Sequence, residues 1–160
     1  MNKLKWVFFG TPEVSSKTLE LLKDAGIVPS LIVTSVDKPK GRKMVMTPSP
    51  VKVWAEKNNI KFLQPIKLDE NFLNELKSES FDLFIVVAYG KIIPEVILGL
   101  PKLGCLNIHY SLLPKYRGAS PVEAALLAGE TETGVTIQKM AFKMDAGDIL
   151  TVEKTSIERE

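Results

Sequence analysis

Short, almost wholly apolar runs alternating with segments of helical period are the feature that most constrains this chain. Trp6-Val7-Phe8-Phe9, Leu31-Ile32-Val33 and Leu83-Phe84-Ile85-Val86-Val87 are too short for buried helices and too continuously apolar for strands with one wet face. Between them lie stretches with apolar residues at helical spacing, the habit of βαβ units around a parallel sheet. The expected class is therefore α/β, a mostly parallel sheet flanked by helices. The first helix is expected from Pro12, at its first turn, to near Gly26, carrying Val14, Leu19, Leu21 and Leu22. Further helices are expected over 50–59, 71–77, 94–98 and 121–128. Lys61-Phe62-Leu63 and Cys105-Leu106-Asn107-Ile108 read as strands, and Gly134 to Lys139 with Ile149 to Lys154 as a strand pair joined through Met144-Asp145-Ala146-Gly147-Asp148. Ser35 to Thr47 has no period and is expected to be an irregular polar loop, a type of segment that is commonly functional. Trp6 and Trp54 are expected in the core.

A chain of 160 residues suits one domain with one sizeable core. Its net charge of +2 is too small to argue nucleic-acid binding from the global field, so any basic surface must be local. Cys105 is the one cysteine, which excludes an intrachain disulfide and fits an intracellular protein. The apolar run after the first lysines, within Met1 to Gly10, is shorter than the core of a signal peptide, and no stretch approaches the roughly 20 apolar residues of a membrane span. A cytoplasmic monomer with no membrane partner is expected.

In open α/β sheets, ligands sit outside the carboxyl ends of the strands. Gly10-Thr11, Tyr89-Gly90 and the Asn107–His109 pair fall at such ends. Two residues apart on one strand, Asn107 and His109 can point to the same side. Asn supplies an amide donor that does not titrate, and His is the side chain whose ordinary pKa lies near neutrality. Together they could hold a carbonyl oxygen as it gains negative charge under nucleophilic attack. Asp145 could orient or polarise the histidine, or take a proton through water. Spacing leaves the plainer readings open: a structural histidine at a strand end, a strand-terminating asparagine, solvated turn carboxylates at Asp145 and Asp148. Gly10-Thr11-Pro12 is not a GxGxxG fingerprint, and Gly41-Arg42-Lys43 lacks the spacing of a P-loop. Ser111 and Ser120 lack a nucleophile-elbow pattern, against a serine hydrolase. One His and one Cys cannot assemble a typical structural zinc site, so no metal is expected.

The run from Asn107 through Ile108-His109-Tyr110-Ser111-Leu112-Leu113-Pro114-Lys115-Tyr116-Arg117-Gly118-Ala119-Ser120 to Pro121, followed at a distance by Met144-Asp145-Ala146-Gly147-Asp148, resembles the signature of the folate-dependent formyltransferases. The resemblance implies a Rossmann-like formyltransferase fold and a formyl donor, 10-formyltetrahydrofolate, as co-substrate without a metal. It places Asn107, His109 and Asp145 on the family's catalytic Asn, His and Asp, and Ser111, Leu112, Leu113 and Pro114 on its folate-contacting loop. Val86, Val87, Ala88, Tyr89 and Gly90 match the wall of its pterin pocket, where backbone groups do much of the binding. The implied reaction is attack of a substrate amine on the formyl carbon, with the oxygen held by Asn107 and His109 and assisted by Asp145.

Within that family, Phe9-Gly10-Thr11-Pro12-Glu13, Asp37-Lys38-Pro39-Lys40-Gly41-Arg42, Thr47-Pro48-Ser49-Pro50-Val51-Lys52 and Gln64-Pro65 are similar to the methionyl-tRNA formyltransferases. That implies initiator methionyl-tRNA as partner, contacted by Lys38, Lys40, Arg42 and Lys43, with Arg42 on the important basic position. Cationic side chains on a flexible segment suit a phosphate-rich partner. Relatives often continue with a more basic stretch where this chain has Lys43-Met44-Val45-Met46. Members of the family carry further chain, including an OB-like C-terminal domain. The ending on Ile157-Glu158-Arg159-Glu160 accordingly reads as a catalytic domain incomplete at its C-terminus, expected to keep its folate site and to bind tRNA poorly. An amino-sugar-nucleotide formyltransferase and a folate-binding piece without turnover are the alternatives.

Overall fold

The computed structural model describes residues 4–158; Met1 to Lys3, Arg159 and Glu160, named above at the two ends, lie outside the described residues. The chain divides into two compact units, one up to Gly104 and one from Cys105 onward.

The first unit is built on four parallel strands in the order β5-β2-β1-β6: β1 (Trp6–Gly10), β2 (Leu31–Val33), β5 (Phe62–Leu63) and β6 (Leu83–Val87). β1 and β2 are buried along their whole length, as strands covered on both faces must be. Helices α1 (Glu13–Asp24), α2 (Pro50–Lys57) and α3 (Glu70–Lys77) lie on the connections between these strands, and the short α4 (Glu95–Leu98) follows β6. Ser49 caps α2 by accepting from Lys52 N, and Asp69 caps α3 by accepting from Asn71 N and Phe72 N. Pro12 sits one position earlier than expected, as the residue preceding α1. Of the apolar residues assigned to that helix Leu19 is fully buried, whereas Leu21 is 70% exposed and faces away from the core. Trp6 and Trp54 are buried as expected.

The segment Ser35 to Thr47 departs from expectation. It holds an antiparallel ribbon, β3 (Lys38–Lys40) paired with β4 (Val45–Thr47), in the register Lys38↔Thr47, Pro39↔Met46 and Lys40↔Val45. Gly41 at φ +74° and Met44 at φ +50° reverse the chain, and Met44 N donates to Gly41 O. β3 is exposed throughout, so its sequence carries none of the alternation by which strands are read. Asp37, at the foot of the ribbon, accepts both oxygens' worth of contact from Lys52 Nζ and one bond from Gln64 Nε2. Those two donors, Lys52 foremost, hold its carboxyl below the usual range.

The second unit is antiparallel: β7 (Cys105–His109), β8 (Glu132–Lys139) and β9 (Ile149–Ser156), in that order, with α5 (Pro121–Leu127) between β7 and β8. β7 runs one residue further than expected, so His109 closes the strand rather than opening the loop.

Within the first unit the chain leaves β1 for β2 on one side and returns to β6 on the other. The carboxyl ends of β1 and β6 therefore flank a topological switch point, where open α/β sheets leave a crevice. Gly10 pairs with Val87 there. A β-carbon at position 10 would stand 2.9 Å from Val87 O and 2.8 Å from Ser15 Cβ, so only glycine fits. Gly10→Ala is expected to destabilise the chain by about 1–3 kcal/mol through overpacking, read as a lower urea midpoint at unchanged slope.

Candidate active site

The switch point is laced by two buried or half-buried hydroxyls. Ser15 Oγ donates to Val87 O at 2.6 Å, and Thr11 Oγ1 donates to Tyr89 O at 2.9 Å. These bonds hold Val86 to Gly90, which leaves the sheet through left-handed backbone at Ala88 (φ +46°) and Gly90 (φ +83°). Two of the segment's carbonyls thus already serve side chains of α1 and the loop before it. Tyr89 is buried with its ring edge-on to Phe9 at 5.5 Å, and its hydroxyl has no partner among the described residues. Burial pushes that phenol up to about 12.

Asn107, His109 and Asp145 belong to the second unit, and there they meet. The antiparallel register sets Asn107 opposite Gln138 and His109 opposite Thr136. Asp145, in the turn after β8, takes left-handed backbone at φ +48°, which brings its carboxylate back over the strands. His109 Nε2 lies 2.8 Å from Tyr116 O. A carbonyl only accepts, so Nε2 is the protonated nitrogen of that pair. Nδ1 consequently turns to Asp145 Oδ1, at 3.7 Å. That separation exceeds a hydrogen bond, so the main-chain carbonyl orients the ring and the carboxylate faces its other side. The side chains of His109 and Asp145 are 8% and 12% exposed, where charges and dipoles act with little screening.

Both oxygens of Asp145 are held. Gly118 N donates to Oδ2 at 2.7 Å, and Gln138 Nε2 donates to Oδ1 at 3.0 Å. The same Gln138 nitrogen makes a long contact, 3.5 Å, with Asn107 Oδ1. Arg117 Nε donates to the main-chain carbonyl of Asp145. Sequence reading missed Gln138, Tyr116, Gly118 and Thr136. One signal was available for two of them. On β8 the small or polar residues Gly134, Thr136 and Gln138 are buried while Val135 and Ile137 are only half-buried, an alternation inverted from that of an ordinary core strand.

The loop from Ser111 to Pro114 is fixed by Thr136, which is wholly buried. Its hydroxyl donates to Ser111 O at 2.7 Å and accepts from Leu113 N at 3.2 Å, while Ser111 Oγ donates to Lys115 O. Leu112 is half-buried, Leu113 is buried, and Pro114 is exposed after a cis peptide bond. The four cations Lys38, Lys40, Arg42 and Lys43 lie in the first unit, all exposed: Lys38 and Lys40 alternate along β3, and Arg42 and Lys43 form the turn. Among the described residues no group of His, Cys, Asp or Glu could hold a metal, and no helix is long and apolar enough to cross a membrane. Thr136→Val removes one donor and one acceptor from buried main-chain groups that have no access to water. It is expected to cost about 1–3 kcal/mol per group left unpaired, measured by chemical denaturation.

The chain matches the formyl transferase family over residues 4–160. It is 52% identical to the methionyl-tRNA formyltransferase of Halalkalibacterium halodurans over 149 residues, which covers 92% of this chain and 47% of that one. It is 48% identical to the methionyl-tRNA formyltransferase of Staphylococcus epidermidis over 157 residues, covering 98% of this chain and 50% of that one. The chain thus spans about half the length of the curated relatives it matches. Among solved structures, phosphoribosylglycinamide formyltransferase of Streptococcus pneumoniae superposes with a TM-score of 0.78 at 19% identity, over 99% of this chain and 85% of that one. A formyltetrahydrofolate deformylase of Pseudomonas syringae superposes with a TM-score of 0.72 at 19% identity, over 98% of this chain and 52% of that one. At that identity the likeness is one of fold, and it identifies the Rossmann-like architecture with its mixed sheet. With its whole described length inside the family match, this chain belongs to the formyl transferase family, as an N-terminal domain closely related to the bacterial methionyl-tRNA formyltransferases.

Proposed function

We propose that this domain transfers a formyl group from 10-formyltetrahydrofolate to the amino group of initiator methionyl-tRNA, with Asn107, His109 and Asp145 at the reacting centre. The observation that carries the reading is the convergence of those three side chains: Gln138 Nε2 reaches both Asn107 Oδ1 and Asp145 Oδ1, and His109 Nδ1 faces the same Asp145 oxygen at 3.7 Å. The donor's formyl group supplies a carbon that an amine can attack and an oxygen on which negative charge develops.

Asn107 Nδ2 is the amide terminus turned away from Gln138, and it donates to that oxygen. His109 acts through Nδ1, because Nε2 is committed to Tyr116 O. When protonated, Nδ1 donates to the same oxygen, and Asp145 Oδ1 across 3.7 Å balances the imidazolium. Asp145 also takes, through a water, the proton that the attacking amine sheds; the bond between the formyl carbon and the folate nitrogen then breaks, and that nitrogen takes up a proton as tetrahydrofolate leaves. Donors fixed before the reaction begins need no reorganisation as charge appears, which is the source of their effect on rate. The open space around Gly90 suits a flat polar heterocycle beside Val86 to Gly90. Within the second unit, the half-buried Leu112 and the exposed Pro114 offer apolar surface in the loop after β7.

Identities of 52% and 48% with methionyl-tRNA formyltransferases, over 92% and 98% of this chain, support a charged tRNA as the acceptor over an amino-sugar nucleotide. The ribbon supports it too. Lys38, Lys40, Arg42 and Lys43 are solvated cations on a projecting hairpin, suited to phosphates rather than to a small closed pocket.

Asn107→Ala and His109→Ala are each expected to lower the rate of formyl transfer by about 100- to 1000-fold while folate binding, read by equilibrium dialysis, persists. Transfer at full rate by either variant would sink the assignment. Arg42→Ala is expected to weaken tRNA binding and to reduce its salt dependence by about one phosphate contact, with folate affinity unchanged in the same preparation.

A further inference from the structure

Lys91 follows Gly90 at the exit of β6 and takes no part in the chemistry proposed for the site. Its ammonium donates to Pro65 O at 2.7 Å and to Ile66 O at 3.0 Å, which ties the exit of β6 to the segment after β5. Two acceptors leave one of its three N–H groups over. What the group lacks is a counter-charge. Lys91 is half-buried, and among the described residues no carboxylate pairs with it. Lys52, half-buried in the same unit, shows the ordinary arrangement: both oxygens of Asp37 meet its ammonium, at 2.8 and 3.0 Å.

Bracing alone does not call for a lysine. The amide of a glutamine offers two N–H groups to carbonyls and brings no charge into a half-buried place. Burial first, and then the charge of Lys38, hold the Lys91 ammonium below its usual range. The charge that acts on this cation is thus a second cation. Hydrogen bonds show why the two stand near each other. Asp37, next to Lys38, accepts from Gln64 Nε2 at 2.8 Å, and the same nitrogen donates to Ser35 O. Gln64 precedes Pro65, whose carbonyl Lys91 holds. The segment Gln64-Pro65-Ile66 is therefore gripped by the foot of the ribbon at one end and by Lys91 at the other. The acids of this region are already engaged: Asp37 by Lys52 and Gln64, and Glu13 by Lys17 at 2.9 Å, with Lys40 acting on it as well.

Two cations without an acid between them, one fixed by main-chain bonds and one on a solvated strand, are what an anion site presents. Further cations lead away from the pair. Lys38 and Lys40 share one face of β3, and Arg42 and Lys43 continue in the turn. One carboxylate would be met by the pair alone, whereas a row of cations suits the repeated charges of a nucleic-acid backbone. We propose that Lys91 and Lys38 together hold one backbone phosphate of the charged tRNA, the phosphate nearest the switch point among those the ribbon meets. This rests on the reading of a charged tRNA as the acceptor. Lys91 then supplies a fixed anchor for a strand whose other contacts are exposed side chains.

The test measures affinity of the full chain for initiator methionyl-tRNA across a series of KCl concentrations. Lys91→Gln keeps an amide donor for the carbonyls and loses the charge, and it is expected to flatten the slope of log K against log [KCl] by about one. Lys91→Arg should keep the slope. Lys38→Gln should also flatten it by about one, and the double variant by about one rather than two, because the phosphate is shared. All of these variants should bind 10-formyltetrahydrofolate as the unaltered chain does. In the unaltered chain, tRNA should shield Lys91 from acetylation and the folate should not, a measurement that needs no variant to fold. The inference is overturned by an unchanged slope in Lys91→Gln, a flattened one in Lys91→Arg, or losses that add in the double variant. It is overturned equally by Lys91 acetylated as fast with tRNA as without it, or by a loss confined to the folate, whose own carboxylates would then be the anion. Failure of the underlying reading looks different: the unaltered chain would then show no salt-dependent affinity for the tRNA, whatever the variants do.

Discussion

Asp145 presents a carboxylate at 12% side-chain exposure, and a carboxylate can be placed there only if donors meet it. The two that do so come from opposite directions in the chain. One is a main-chain amide, Gly118, in the loop that leaves β7; the other is a side-chain amide, Gln138, on β8. The turn after β8 is thereby tied to the loop after β7, and the candidate centre exists because these two connections are fastened to each other. The antiparallel β7–β8 register does the rest, since it brings Asn107 opposite Gln138 and His109 opposite Thr136. Thr136 then uses one hydroxyl to hold two main-chain groups of the loop from Ser111 to Leu113.

The first unit follows the same economy with different groups. Its crevice lies where β1 and β6 diverge in connectivity, and hydroxyls on the residues after β1 fasten the exit of β6. In the first unit the polar work falls at strand ends and the apolar work inside strands, whereas in the second Asn107, Thr136 and Gln138 carry polar groups within β7 and β8. Chain reversals after a strand can expose main-chain groups that a strand interior must spend on its ladder.

What could be read from the residues, and what could not, divides along burial. Trp6 to Phe9, Leu31 to Val33 and Leu83 to Val87 declared themselves because a strand covered on both faces must be apolar at every position. The ribbon at Lys38–Lys40 and Val45–Thr47 did not, because an exposed ladder is held by main-chain bonds that leave no mark on side-chain composition. Leu21 reads as core by its neighbours and is on the surface, since helical spacing gives a face only to within about one residue. Asn107, His109 and Asp145 were found through a resemblance, spacing having left plainer readings open. Gln138 escaped because a polar residue in a strand reads as its wet side, and on β8 the wet-looking side is the buried one.

The ring of His109 is held by a carbonyl of the main chain, on a residue whose backbone is left-handed at φ +56°. A carbonyl belongs to every amino acid alike, so no substitution at position 116 can delete it. What a substitution can do is withdraw the backbone conformation that aims it. The Tyr116 hydroxyl donates to Glu130 Oε1 at 2.8 Å, but the aim of the carbonyl depends on stereochemistry: glycine or asparagine would keep it there, and valine or isoleucine would not. The hold on the histidine at position 116 should accordingly sort by Ramachandran preference.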